Sequence, residues 1–280
     1  MDLRVQADKA NQLRKLHYGS RILVLPNAWD VASARVLEQL GYPAIATTSA
    51  GIAFALGYRD GEHISRNEML EVVARMARAV HVPVTADMEA GYGITPEDLA
   101  DTARAVVEAG AVGLNLEDVT GENPRSPVDT ALQVAKIRKV CETSASLGVP
   151  LVVNARTDVY LMPSGEPATR FERTVERLCA YRAAGADCLF APGVYERHTI
   201  EELVRALAAP LNVLLVPGTP PLRDLEKMGV ARASLGSAVM RATVGLVEQI
   251  GKQLLEQSGT YASILDGAIP YAEMNQLLQG

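Results

Sequence analysis

Three carboxylates and one guanidinium stand where apolar runs end. Asp87 closes "VPVTAD", and Glu89 follows two residues later in "TADMEAGYG". Glu117 closes "VGLNLE", and Arg156 closes "PLVVNAR". Brought to one place, Asp87, Glu89 and Glu117 would repel each other unless a positive charge sat among them. A hard divalent cation with oxygen ligands is the natural filler, and Mg2+ suits that donor set. No histidine or cysteine joins the group, which argues against zinc. Arg156 offers a planar fork that matches a carboxylate. A single strand-end acid is more often a cap or a solvated charge, so the cluster carries the inference. Asp118 and Asp158, beside it, read as turn caps.

These residues need elements to bring them together. Eight short apolar runs recur along the chain: "RILVLP", "PAIATT", "VPVTAD", "VGLNLED", "PLVVNAR", "DCLFAP", "NVLLVP" and "RASLGS". They are continuously apolar rather than alternating, as parallel strands covered on both faces are. Amphipathic helices lie between them. One opens at the capping box Ser65–Glu68, and another has Thr95 as cap, Pro96 in its first turn and Gly110 at its end. Eight βα repeats in 280 residues predict a single α/β domain, a (β/α)8 TIM barrel over residues 1–280. A doubly wound sheet is the alternative, but "LPNAWD" after the first run lacks its glycine fingerprint. Residues 237–280 read as a C-terminal helical extension, more helix than one barrel position needs. In a barrel, ligands bind at the C-terminal ends of the strands. The acids and Arg156 belong there, with Asn27, Thr47 to Ser49, Asn115, Asn154 and Ser234, while Asn212 stands near the start of its strand.

The bulk properties narrow the classes. The net charge is −6 with no basic run, so neither nucleic acid nor an anionic membrane is an expected partner. No apolar stretch reaches membrane-spanning length, the amino terminus lacks a signal-peptide core, and a cytoplasmic location is expected. Three scattered cysteines suggest neither a disulfide framework nor a zinc site.

Several stretches taken together resemble the isocitrate lyase and phosphoenolpyruvate mutase superfamily. They are "NAWDVASARVLEQLGYPAIATTSAG", "LGYRDGE", "ADMEAGYG", "GLNLED", "NARTDVYL", "APG" and "RASLGS". The resemblance runs from about Asn11 to the last strand. It implies a barrel whose C-terminal helix is exchanged in a homodimer or homotetramer. It also implies Mg2+, with Mn2+ as a possible substitute, and a small 2-oxo acid substrate. Asp60, Asp87, Glu89 and Glu117 would hold the metal, directly or through water, although the family mostly has Asp where Glu89 stands. Arg156 and Glu117 would be the catalytic residues, with Arg156 binding the oxo acid and stabilising its enolate. Ser49, Ala50 and Gly51 would offer backbone N–H groups to the substrate carboxylate, beside Asp87. Asn212 would contact the distal part of the substrate.

The chain departs from the family's lyases in one loop. They carry a catalytic cysteine in "KKCGH" or "KRCGH" after the fourth strand. Here residues 119–129 read "VTGENPRSPVD", with no cysteine, histidine or lysine. Decarboxylation of an oxo diacid asks least of the missing acid. The sequence therefore points to a Mg2+-dependent C–C lyase of oxaloacetate decarboxylase or methylisocitrate lyase type. P–C chemistry on phosphonopyruvate-type substrates is an alternative, and a non-catalytic 2-oxo acid binding protein is another. Tyr58, Tyr92, Tyr160 or water would supply the proton, and His63 and His198 read as surface residues.

Overall fold

The protein is described by a computed structural model covering residues 2–279 apart from Glu122, Pro163 and Ser258. Nine parallel strand segments form one sheet. They are β1 (Leu23–Leu25), β2 (Asn27–Ala28), β3 (Ile45–Thr47), β4 (Val84–Asp87) and β5 (Gly113–Glu117), followed by β6 (Val152–Arg156), β7 (Cys188–Phe190), β8 (Leu211–Leu214) and β9 (Arg232–Ser234). The order is β1-β9-β8-β7-β6-β5-β4-β3-β2. Its two ends are consecutive pieces of one stave. β1 pairs with β9, and β2 pairs with β3. Pro26 lies between them and has no N–H for a ladder, so the stave breaks there. The nine segments are thus the eight expected staves of a nearly closed (β/α)8 barrel.

The helices follow the expected signals. They begin with α1 (Leu3–Leu16), α2 (Val31–Gln39), α3 (Ser49–Ala55) and α4 (Arg66–Ala79). Next come α5 (Pro96–Glu108), α6 (Thr130–Ser146), α7 (Arg170–Ala183), α8 (Arg197–Leu207) and α9 (Leu222–Met228). Both predicted caps form: Ser65 and Glu68 close a capping box on α4, and Thr95 caps α5 with Pro96 in its first turn. α3 is an addition, because its residues "SAGIAFA" are apolar all round and give no helical period.

α1 seals the amino-terminal end of the barrel. Gln6 Nε2 donates to Val107 O and Ala111 O at 2.8 and 2.9 Å. Arg14 reaches Pro150 O and Asp187, just before β6 and β7. A side chain at Gly113 would run into Thr85 and into Leu13 of α1, so the absence of a Cβ lets α1 approach the strands.

The C-terminal extension contains α10 (Ala238–Leu255), α11 (Tyr261–Ile264) and α12 (Tyr271–Leu278). α10 buries Met240 and leaves Val244, Val247 and Leu255 exposed, the last at 86%. α12 returns onto α2, where Arg35 donates to Leu277 O and Gln279 O.

Candidate active site

Asp87, Glu117 and Arg156 are the last residues of β4, β5 and β6, three neighbouring staves. Parallel register fixes their relative height: Asp87 lies beside Asn115, and Glu117 lies beside Arg156. The sheet therefore places the predicted acids and the arginine on one rim.

Each rim group is held by a different set of donors. Asp87 Oδ2 accepts from the Ser49 N–H (3.0 Å) and the Ser49 hydroxyl (2.8 Å). Its Oδ1 accepts from Asn115 Nδ2 (3.2 Å), and Asn154 Nδ2 donates to Asn115 Oδ1 (2.7 Å). A polar chain thus runs across three staves beneath the rim. Ser49 and Gly51 lie in the first turn of α3, and their N–H groups are engaged by Asp87 and by the Thr48 cap. Ala50 follows Ser49 there.

Glu89 occupies a tight turn. Its φ is 49°, a left-handed value uncommon for a residue with a side chain, and Tyr92 (φ 54°) and Glu62 (φ 57°) share it. Contacts among these three hold the turn. Glu62 N donates to Glu89 Oε2 at 2.5 Å, Tyr92 OH to Glu89 Oε1 at 3.1 Å, and Tyr92 N to Glu62 Oε1 at 2.7 Å. Gly91, at φ 97°, packs so closely on Leu99 that a Cβ would collide with it. Such strain gathers where a surrounding network over-determines the backbone. Lys136, buried on α6, secures the same turn by donating to Ala90 O (2.7 Å) and Gly93 O (3.1 Å). Gln133, one turn earlier on α6, donates to Glu117 O.

Arg156 is gripped on two sides. NH1 meets Glu117 Oε2 at 2.6 Å, while Nε and NH2 form a fork onto Asp158 at 2.5 and 2.8 Å. Phe190 lies beside the guanidinium, 5.8 Å from Cζ to the ring centre. Asp158 is in turn fixed by Asp118, which accepts its N–H at 3.0 Å and also binds Tyr181 and Arg177. Asp118 and Asp158, expected as turn caps, are the frame that aims Arg156.

The electrostatics are those of crowded acids. Burial, then the charges of Asp87 and Asp60, push the Glu89 carboxyl up to about 7. Burial also raises Glu117, and the Arg156 contact opposes it. Burial works against a charged Arg156, yet Glu117 and Asp158 outweigh it and hold the guanidinium above its ordinary range. Asp60, on the loop after α3, keeps an exposed surface. Its carboxyl is raised by desolvation and by Asp87.

The raised Glu89 gives stability a pH dependence. The metal-free fold favours protonated Glu89, so this stabilisation is complete below the ordinary value of 4.5 and is lost as pH rises through about 7. The effect is about 3 kcal/mol. In the presence of a chelator, Glu89→Gln is expected to melt above the parent at alkaline pH and to lose that advantage in acid. An advantage independent of pH would contradict this.

Not every predicted residue reaches the rim. Asn212, second residue of β8, is buried inside the barrel and bonded to Ser234. Of the tyrosines, Tyr92 touches a rim acid, whereas Tyr58 donates to Glu68 on the surface. His198 is exposed and faces Glu202, and His63 is exposed in the loop before α4. Among the described residues, no three Asp, Glu, His or Cys side chains stand assembled around one metal position. Asp87, Glu89 and Glu117 are instead held by protein donors. The donor set still fits a hard cation, since it is all oxygen and its members raise one another's affinity for a positive charge.

Comparison with known proteins extends the reading. A family model, phosphoenolpyruvate phosphomutase, matches residues 13–255. A Burkholderia cenocepacia J2315 protein crystallised as a candidate lyase/mutase superposes with a TM-score of 0.90 at 35% identity, covering 99% of this chain and 98% of that one. A candidate phosphonomutase from the same organism superposes at 0.83 with 39% identity, covering 88% of this chain and all of the other. Oxaloacetate decarboxylase of Rhodopseudomonas palustris (strain TIE-1) is 29% identical over 273 residues, 95% of this chain and 88% of the relative. With the acids and the arginine on one barrel rim, the chain belongs to the phosphoenolpyruvate phosphomutase family of the isocitrate lyase/phosphoenolpyruvate mutase superfamily, and is an enzyme of its lyase/mutase type.

Proposed function

We propose that this enzyme is a Mg2+-dependent lyase that breaks the C–C bond next to the enolate of a small 2-oxo diacid, with oxaloacetate as the first substrate to test. One observation carries the reading. Arg156, set by two carboxylates at the end of β6, faces an all-oxygen acidic rim, while the loop 119–129 offers no cysteine, histidine or lysine as an acid. Asp60, Asp87, Glu89 and Glu117 would hold the metal, which when bound withdraws electrons from the substrate keto group. Mn2+ is expected to substitute.

The chain's own residues do the rest. Ser49 fixes one Asp87 oxygen and Asn115 the other, so this carboxylate is already oriented. Arg156 presents a fixed cation to the charge that develops on the enolate oxygen, a preorganised form of stabilisation. Phe190 shields one side of that cation. Tyr92, bonded to Glu89, is the tyrosine best placed to pass a proton through ordered water. The similarity to oxaloacetate decarboxylase supports the substrate class. The similarity to a candidate phosphonomutase favours P–C chemistry as the second reading. Arg59 and Arg125, the basic residues that such chemistry would call on, are exposed on their loops.

A panel of 2-oxo acids with Mg2+ separates the two. Pyruvate released from oxaloacetate above the metal-only rate is expected. Phosphate released from phosphonopyruvate, with oxaloacetate untouched, would favour the second reading. Oxalate binding without turnover of any member would contradict both readings.

The exposed apolar face of α10 supports exchange of the C-terminal helices between subunits. Sedimentation of the full chain is expected to give a homodimer or homotetramer. A monomer at every concentration would contradict the exchange.

A further inference from the structure

The barrel interior is more polar than the branched apolar layers common to this fold. Thr85, Asn115, Asn154, Asn212 and Arg232 are all buried. Arg232, the first residue of β9, stands out among them. It is 1% exposed, and its Nε and both terminal nitrogens have no hydrogen-bond partner among the described residues. Beneath it lies the end of α1, and His17, the residue after that helix, is pushed down to about 4, by burial first and then by the Arg232 charge. Asp87 is the carboxylate whose charge reaches it. Arg232, at the start of β9, is thus a buried cation below the rim on which Asp87 stands at the end of β4.

Burying an unpaired guanidinium destabilises a fold, so packing does not explain it. The charge balance of the rim does. Asp60, Asp87, Glu89, Glu117 and Asp158 face one guanidinium, Arg156. Even a divalent cation leaves that rim net negative, and a doubly charged oxo acid would be repelled. We propose that Arg232 is a positioning residue for the anionic substrate: a fixed cation below Asp87 that draws a dicarboxylate into the rim at some cost in metal affinity. The inference rests on the 2-oxo diacid reading above, and the test keeps the two apart.

The test is a pair of titrations, Mn2+ alone and then oxalate into the Mn2+-loaded protein, on the parent, Arg232→Met and Arg232→Lys. Loss of one buried unit charge is expected to be worth about tenfold. Arg232→Met is expected to bind Mn2+ several-fold more tightly and oxalate about tenfold more weakly, with a melting temperature at or above the parent's. Arg232→Lys is expected to restore both affinities. A purely structural role would weaken both or neither. Met binding both ligands as the parent does, or Lys failing as Met does, overturns the proposal. If the parent takes Mn2+ but not oxalate, the oxo acid reading fails. Arg232 is then judged on the metal alone, and unchanged Mn2+ affinity in Arg232→Met overturns it.

Discussion

Arg156→Lys is expected to lower kcat/KM by about 10²–10³-fold while the protein stays folded. The reason is geometric. Arg156 meets Glu117 with NH1 and Asp158 with Nε and NH2 at the same time. A lysine ammonium keeps the charge but cannot span both acids, so the cation is no longer aimed at the substrate oxygen. Arg156→Ala goes further. It leaves one buried and one partly buried carboxylate without their counter-ion, and a loss of about 3 kcal/mol in metal-free stability is expected. Steady-state kinetics and chemical unfolding of the two variants separate aim from charge. A lysine variant as active as the parent would show that the fork is dispensable.

The second large effect is at Asp87. Asp87→Ala is expected to abolish Mg2+-dependent stabilisation by oxalate, which resembles the enolate of pyruvate in charge and shape. The barrel should survive. Asp87 is the last residue of β4, and its three side-chain bonds go to Ser49 and Asn115 rather than to the apolar core. Losing them costs about 1–3 kcal/mol, partly offset by relief of repulsion from Glu89 and Asp60. Thermal melts with and without Mg2+ and oxalate read both quantities. Intact Mg2+-dependent oxalate binding in this variant would remove Asp87 from the metal set.

Much of this was legible in the residues because it is local. Ser65 with Glu68 and Thr95 with Pro96 announce helix starts within one turn. The apolar runs show eight staves, and the polar residues that end them show the rim. What was not legible depends on partners far along the chain. Asp158 reads as a turn cap until Arg156 is seen to fold back on it and Asp118 to brace it from the neighbouring stave. Lys136 reads as an ordinary helix residue, yet it reaches 46 residues back to Ala90. Arg232 opens an apolar-looking strand, and only barrel closure shows that it lies inside with no counter-ion among the described residues. Asn212 sits one residue into its strand, which places it in the interior rather than at the mouth. α3 has no polar face, so its seven residues carry no period to read. The helix was nonetheless foreshadowed by Thr48, whose hydroxyl caps it.

The site also combines two kinds of support with different energetics. Glu62, Glu89 and Tyr92 store backbone strain in a turn that Lys136 pins from behind. Asp118, Asp158, Tyr181 and Arg177 form a satisfied polar network that holds Arg156 without strain. Metal binding should relax the first and leave the second unchanged, since only the first contains an expected metal-holding residue, Glu89.

The most direct measurement is the initial rate of pyruvate formation from oxaloacetate by the purified enzyme and by Asp87→Asn, each with Mg2+ and with a chelator. The parent with Mg2+ should exceed the metal-only rate and fall to background when chelated, and Asp87→Asn should stay at background in both. A parent rate indifferent to the chelator, or equal to that of Asp87→Asn, would contradict a metal-dependent lyase centred on this rim.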